Sequence, residues 1–317
     1  MNQKLLTGAV AAMAFLLPST AMGQTADFNI IPQPQQVVAD ASAPFTLNSN
    51  TVIYVQTNSQ DMKRNATMLA SYIQEATGIR PTIGKLVKGN PAIILSIDKT
   101  ISNAEGYRLN SDAKQIRIAG ASAAGVFYGI QTLRKSLPLC NGKATQVSIP
   151  AVHITDAPRF AYRGTHLDVS RHFVTADSIR QFIDMLALHN INRFHWHLTD
   201  DQGWRIEIKK YPLLTKIGAK RDQTVIGHNS GKYDGIPYDG YYTQQQIRDI
   251  VKYAADRYIT IVPEIDLPGH MQAALAAYPE LGCTGGPYKV WQMWGVSDNV
   301  LCAGNDKVMT FIDNVLK

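Results

Sequence analysis

The sequence predicts a small α+β domain followed by the first units of an incomplete (β/α)8 TIM barrel. Three observations lead there. The first half alternates short β-branched runs with two helical periodicities. The second half reads strand, helix, strand, helix, strand, which argues parallel βα units. Charged and polar residues cluster directly after each of those three strands, where α/β barrels build their active sites. Three strands cannot close an eight-stranded barrel, so the barrel is expected to be incomplete.

Bulk properties admit this architecture and exclude others. The chain has 317 residues, 45% hydrophobic and 18% charged, an ordinary globular composition with room for two modest domains. Its formal charge of +6 is spread without runs of Lys and Arg, so no nucleic-acid partner is expected. At the N-terminus Lys4 precedes a short apolar stretch, 5–17. Pro18 and Ser19 break it, and the small residues Ala21 and Gly23 flank Met22. This reads as a secretory signal over residues 1–23 with Gln24 as the new N-terminus. The stretch falls short of the roughly 20 apolar residues of a membrane span. Export, to the periplasm or outside the cell, without a transmembrane anchor is therefore expected.

The expected division is 24–150 for the α+β domain and 151–317 for the βα units. In the first, 51–55 and 92–97 are β-branched strands, while 107–109 and 115–119 alternate as hairpin strands would. Met62, Leu69, Tyr72, Ile73 and Ala76 share one helical face that Gly78 ends, and a second helix over 122–137 stops at Pro138. This layer carries no evident chemistry. In the second, 162–169 is extended and Ile179, Phe182, Ile183 and Leu186 mark the next helix. A strand over 192–198 follows. Thr243 and Gln246 form a capping box ahead of a helix whose apolar face is Ile247, Ile250, Val251 and Ala254. Residues 258–265 are a near-continuous apolar strand, and 306–316 begins another helix.

Exported cysteines meet an oxidising compartment. Cys283 and Cys302 enclose 18 residues, and a bridge between them would contribute roughly 3 kcal/mol. That bridge is expected, with Cys140 left over; three free thiols are the alternative, since connectivity is not readable from sequence.

Three constellations follow the strands: Asp168 to His172, His195 to Trp204, and Pro263 to His270. On residue types alone the second invites a metal. His195 and His197 share a strand face, and Asp266 and His270 would lie nearby in a barrel. Histidines hydrogen-bonded inside the barrel and binding nothing are the alternative.

Taken together, Arg163-Gly164 with Asp168-Val169-Ser170-Arg171-His172, the run His-Trp-His-Leu-Thr-Asp-Asp-Gln-Gly-Trp at 195–204, and Pro263 to His270 resemble glycoside hydrolase family 20 hexosaminidases. Gly125-Val126-Phe127-Tyr128-Gly129-Ile130-Gln131-Thr132-Leu133 is similar to a helix of that family's small N-terminal domain. The resemblance implies an exo-acting β-N-acetylhexosaminidase that works without metal or cofactor by substrate-assisted retaining hydrolysis. Its partner would be an oligosaccharide or glycoconjugate ending in N-acetylglucosamine or N-acetylgalactosamine. Arg171 matches the arginine that grips ring hydroxyls of the terminal sugar, for which a guanidinium fork suits a vicinal diol; a salt bridge to Asp168 is the alternative. Asp200 matches the acidic residue at the edge of the same pocket, and Asp201 braces the loop. Asp266 and His270 match a supporting dyad beside the general acid. Glu264 reads equally as a structural or a site residue. Trp204 reads as packing at the barrel mouth, as do Trp291 and Trp294, although the last two could flank the leaving-group site.

The family places its acid machinery, an Asp that orients the acetamide and a Glu that protonates the leaving oxygen, in a His-x-Gly-Gly-Asp-Glu motif. No Gly-Gly-Asp-Glu occurs here; Gly285-Gly286 is followed by Pro287-Tyr288. By the resemblance, the Asp-Glu pair and the aromatics of the acetamide pocket are expected beyond Lys317. The expectation is therefore a fragment that lacks the catalytic pair and is inactive alone. A non-catalytic carbohydrate-binding relic of the same fold is the alternative.

Overall fold

The computed structural model describes residues 24–142 and 144–317. The expected leader, residues 1–23, lies outside the described residues. The first domain is built on a seven-stranded mixed sheet. Its order is Gln36–Ala39, Val152–Asp156, Tyr107–Ser111, Gln115–Gly120, Ala92–Ile97, Val52–Val55 and Thr82–Ile83. The last four are mutually parallel and the first four antiparallel. Helices Gln60–Thr77 and Ala123–Ser136 pack on each other and on this sheet. The first buries Met62, Ala66, Leu69, Tyr72, Ile73 and Ala76, the expected face. It ends at Gly78, whose φ of 85° suits glycine, and a Cβ there would stand 2.4 Å from the Gly142 carbonyl oxygen.

Several elements were not legible. Gln36–Ala39, Phe45–Asn48, Gln146–Ile149 and Val152–Asp156 are strands too short and polar to declare themselves before pairing. One of them moves the domain boundary. Val152–Asp156 lies between Gln36–Ala39 and Tyr107–Ser111 in the first domain's sheet, so residues 151–157 belong to that domain and the expected break at 150 falls too early.

The second region holds three parallel strands, Gly164–Asp168, Arg193–His197 and Thr260–Glu264, adjacent in that order. Helices Ala176–Leu188 and Gln244–Ala255 connect them and pack together. Both halves of the Thr243–Gln246 capping box are made. Ile250 and Ala254 are buried, whereas Val251 turns out to solvent at 42% exposure. Beyond the strands, Trp204, Leu214, Met271, Leu275, Leu301 and Phe311 form a second core under the long loops, where Trp204 packs as expected. The expected helix at the end of the sequence is Asp306–Leu316, which buries Val308 and Phe311 in this second core. Lys317 follows it and pairs with Asp313 one turn back on the exposed face. Cys283 and Cys302 stand as free thiols close enough for one to hydrogen-bond the other, and Cys140 is a separate buried thiol. The backbone bridge between Gly282 and Leu301 brings the two loop segments together.

The two regions share one continuous hydrophobic cluster and a polar clamp. Glu105 receives the Arg163 guanidinium at 2.9 Å, the Asn192 amide at 3.2 Å and the Tyr128 hydroxyl at 3.1 Å. Arg163 also donates to the Asn190 and Phe160 carbonyls, so it fixes the entry into the first parallel strand. Replacing Glu105 by Ala strands a largely buried guanidinium and should lower unfolding free energy by about 2–4 kcal/mol, less than a fully buried pair because solvent reaches the clamp. Urea denaturation followed by tryptophan fluorescence measures it; a change below about 0.5 kcal/mol would show that the clamp does not hold the domains.

Candidate active site

Strand register builds the site's floor. Asp168, His197 and Glu264 are direct neighbours across the three strands, so three ionisable side chains stand in one row at the carboxyl ends. Asp168 then folds its own loop back: one carboxylate oxygen accepts from the Ser170 and Arg171 amides, at 2.8 and 3.0 Å. This turn sets Arg171 over the row. Its Nη1 meets Asp168 at 2.7 Å, its Nη2 meets Asp200 at 2.8 Å, and its Nε donates to Gln202 at 3.2 Å. The salt bridge to Asp168, the alternative reading of Arg171, is thus present, and the side chain remains 36% exposed.

Asp200 is the centre. It sits in the hairpin of Thr199–Asp200 and Gly203–Trp204, and its side chain is fully buried. Besides Arg171 it accepts from His197 Nε2 at 2.7 Å, His270 Nδ1 at 3.0 Å and the Asp201 amide at 2.7 Å. Burial alone would raise its pKa, but the His197 hydrogen bond, the Asp201 amide, the Arg171 charge and His270 together hold it below the usual carboxylate value. His197 faces a carboxylate from each ring nitrogen, since its Nδ1 lies 2.8 Å from Glu264. Only the imidazolium donates from both. Burial pulls its pKa down, yet Asp200, Glu264 and Asp168 outweigh burial and raise it to about 9. Glu264 also contacts His195 Nε2 at 2.5 Å. Despite burial, its pKa is lowered by His197 and His195.

The expected dyad residues Asp266 and His270 lie within ion-pair distance of each other. Asp266 stands 3.8 Å from His270 Nε2, beyond hydrogen-bond reach, while the other ring nitrogen bonds Asp200. His270 adopts φ 56°, the left-handed region, and the Asp266 amide is tied to Thr199 Oγ1. Asp201 braces the following loop as expected: its carboxylate accepts from the Gln272 and Ser297 amides.

A pocket of roughly 400 Å³ opens beside Arg171, walled by Asp168, Arg171, His172, Gln202, Arg221 and Trp294 among others. Trp294 is 57% exposed on its rim, not packed inward as expected, and Trp291 is half-buried. His197, Glu264 and Gln202 join the site although sequence reasoning gave them no settled role. Their signal was their position, at or just beyond the end of a strand.

Three donor sets are close enough to hold a cation: His166, His197 and Glu264; His197, Asp200 and Asp266; Asp200, Asp201 and His270. The chemistry does not fit one. Both His197 nitrogens are committed to carboxylates, and the Arg171 guanidinium on Asp200 would repel a second cation. The cluster neutralises itself.

This network has a pH signature. The folded His197 pKa lies above its unfolded value of 6.5, so its contribution is complete below pH 6.5 and is lost as pH rises toward 9. Asp200 and Glu264 act oppositely, losing their contribution as pH falls below their unfolded values of 3.8 and 4.5. Stability should therefore decline between pH 6.5 and 9, and His197→Gln should flatten that decline. Denaturation midpoints across that range decide it; equal slopes in both proteins would mean that His197 is neutral in the fold.

Comparison with known proteins places this geometry. The family model described as Glycosyl hydrolase family 20, catalytic domain, matches residues 160–317, and Glycosyl hydrolase family 20, domain 2, matches 27–157. A beta-hexosaminidase of Porphyromonas gingivalis is 44% identical over 295 residues, 91% of this chain and 36% of that protein. A beta-N-acetylhexosaminidase of Cellulomonas fimi is 34% identical, over 84% of this chain and 51% of its own length. The chain thus spans a third to a half of these curated relatives. Among solved structures, the family 20 enzyme of Streptomyces coelicolor matches with TM-score 0.79 and 37% identity, over 90% of this chain and 56% of that one. A mutant Streptomyces plicatus beta-hexosaminidase, solved with the product GlcNAc, matches with TM-score 0.79 and 36% identity, over 90% and 55%. These relatives have a barrel catalytic domain preceded by an N-terminal domain, the order seen here. With both family models matched in sequence order over nearly all described residues, the chain belongs to glycosyl hydrolase family 20.

Proposed function

We propose that this chain carries the sugar-gripping part of an exo-acting β-N-acetylhexosaminidase that releases terminal N-acetylglucosamine or N-acetylgalactosamine. The observation that carries the reading is Arg171 held between Asp168 and Asp200 on the wall of an open pocket. Both its charge and its plane are fixed before a sugar arrives, and a fixed fork is what a pair of ring hydroxyls requires. The matched relatives named as hexosaminidases, and the neighbour solved with GlcNAc, support an amino sugar as the occupant.

The chemistry we propose is substrate-assisted and retaining, the route in which the sugar's own acetamide attacks the anomeric carbon. It needs an acid within reach of the leaving oxygen. Glu264 and Asp200 are poor acids, since both are held ionised by cationic neighbours. No Gly-Gly-Asp-Glu occurs in these 317 residues. We therefore read the acid pair, and the strands that would complete the barrel against the two open sheet edges, as lying beyond Lys317, outside this sequence. In that setting the Asp200–His270 contact orients the imidazole beside the reacting centre. A non-catalytic sugar-binding protein is the second reading, favoured by the same missing motif.

One set of measurements tests this. The 317-residue chain should bind N-acetylglucosamine yet show no turnover of an aryl N-acetyl-β-glucosaminide. Arg171→Lys should weaken that binding by about 2–4 kcal/mol, because a point charge cannot grip two hydroxyls. Turnover by the chain alone would show that the acid is already present; unchanged binding in the variant would make Arg171 structural. An in-frame Gly-Gly-Asp-Glu downstream of the Lys317 codon would separate enzyme from binding relic.

We propose, too, that the protein is exported and that Cys283 and Cys302 bridge in the oxidising compartment. No described helix is long and apolar enough to cross a membrane. Mass spectrometry of secreted, non-reduced protein should find an N-terminus at Gln24 and a peptide joined through Cys283 and Cys302. A retained Met1, or a bridge to Cys140, would contradict the respective part.

A further inference from the structure

At their amino ends, opposite the row of Asp168, His197 and Glu264, the parallel strands open onto a second cavity. Its volume is roughly 720 Å³, and both regions build it. Gln35, Glu105 and Asp156 come from the first domain, Phe160 from the connection, and Arg163 and Asn190 from the strand entries. Gly164 and Asp168 are the two ends of one strand, so about 13 Å of backbone separates this cavity from the Arg171 pocket.

The floor is already saturated. One Asp156 carboxylate oxygen accepts from the Gln35 amide at 3.1 Å and the other from the Tyr107 hydroxyl at 3.0 Å. The Lys135 charge also faces Asp156. Glu105 is taken up by the clamp, and Arg163 spends all five donors on Glu105, Tyr128 and the Asn190 and Phe160 carbonyls.

The rim is not. Phe160 is 67% exposed. Arg159 is exposed and has no hydrogen-bond or ion-pair partner among the described residues. Asn190 takes the left-handed φ of 59°, and its Oδ1 is buried without a partner. Its carboxamide can turn about the last side-chain bond to offer either end to the cavity. A buried acceptor left unmet costs stability until a donor arrives. The fitting ligand therefore brings an apolar face for Phe160, a donor for Asn190 and an acceptor for Arg159. It brings no net charge, since an anion would share the cavity with Asp156 and Glu105. A pyranose ring answers each demand: its C–H face is apolar, and each hydroxyl both donates and accepts.

We infer that this interdomain cavity is a second carbohydrate site, which takes a neutral pyranose unit against Phe160 with its hydroxyls on Asn190 and Arg159. The inference rests on the reading of the chain as one that handles glycans, and not on Arg171. Sites at opposite ends of the strands hold separate chains or branches, so a polymeric glycan is retained at two points.

Isothermal titration of the 317-residue chain with chitotetraose, a neutral oligomer of N-acetylglucosamine, tests this. Two binding events per chain are expected. Phe160→Ala should weaken one of them at least about tenfold and leave the other unchanged. Asn190→Gly, which suits the left-handed backbone, should weaken the same one. Arg171→Lys should weaken only the other. Because Phe160 is exposed, its variant should keep the denaturation midpoint of the parent chain. A single event lost in Arg171→Lys and untouched by Phe160→Ala overturns the second site and leaves the Arg171 reading standing. A single event lost in Phe160→Ala and untouched by Arg171→Lys keeps the second site and ends the Arg171 reading. Two events that neither Phe160→Ala nor Asn190→Gly alters overturn the inference, as does no binding at all.

Discussion

The site depends on keeping one fully buried carboxylate, Asp200, ionised. A lone charge there would cost far more than the fold could sustain. Four donors from four places in the sequence remove that cost: Arg171 after the first parallel strand, His197 at the end of the second, the adjacent Asp201 amide, and His270 after the third. Each βα loop is therefore tied to a common point. If Asp200 moved, Arg171 would lose the contact that fixes its plane, and His270 would lose its reason to hold an unfavourable backbone angle.

The same constraint explains why acidic and basic groups alternate through the site. From Arg171 through Asp200, His197 and Glu264 to His195, successive ion pairs alternate acidic and basic groups. A self-neutralised chain of this kind is rigid, because moving one member leaves two partners unpaired. Rigidity suits recognition of a sugar, whose hydroxyls offer many weak contacts that only a preorganised surface can collect. It also accounts for the donor sets of cation-binding shape that the cluster contains. Their ligands are already each other's counter-ions.

Outside this chain of pairs, charge is handled in another way. Arg205 is neutralised by no carboxylate among the described residues, yet carbonyl dipoles occupy every donor, and burial followed by the neighbouring Arg221 charge lowers its pKa to about 10. Arg221 stands between the two solutions, half engaged by carbonyls and open toward the pocket.

What the sequence determined by itself was periodic or local. The helix ending at Gly78, the Thr243–Gln246 cap, the alternating strands and the order of the two domains follow from side-chain spacing and backbone preference, which neighbouring residues decide. The residue types of the site were legible for the same reason, since charged groups after apolar strands stand out. Tertiary structure alone decided the pairing. Gln36–Ala39 and Val152–Asp156 became strands because a sheet offered them partners far away in the chain, a gain invisible within either segment. His270 stands between Asp266, four residues before it, and Asp200, a distant buried charge that bonds its Nδ1 and that sequence proximity could not announce. Asp168, His197 and Glu264 became one row through strand register, which is set by packing across the sheet and leaves no mark in any single strand.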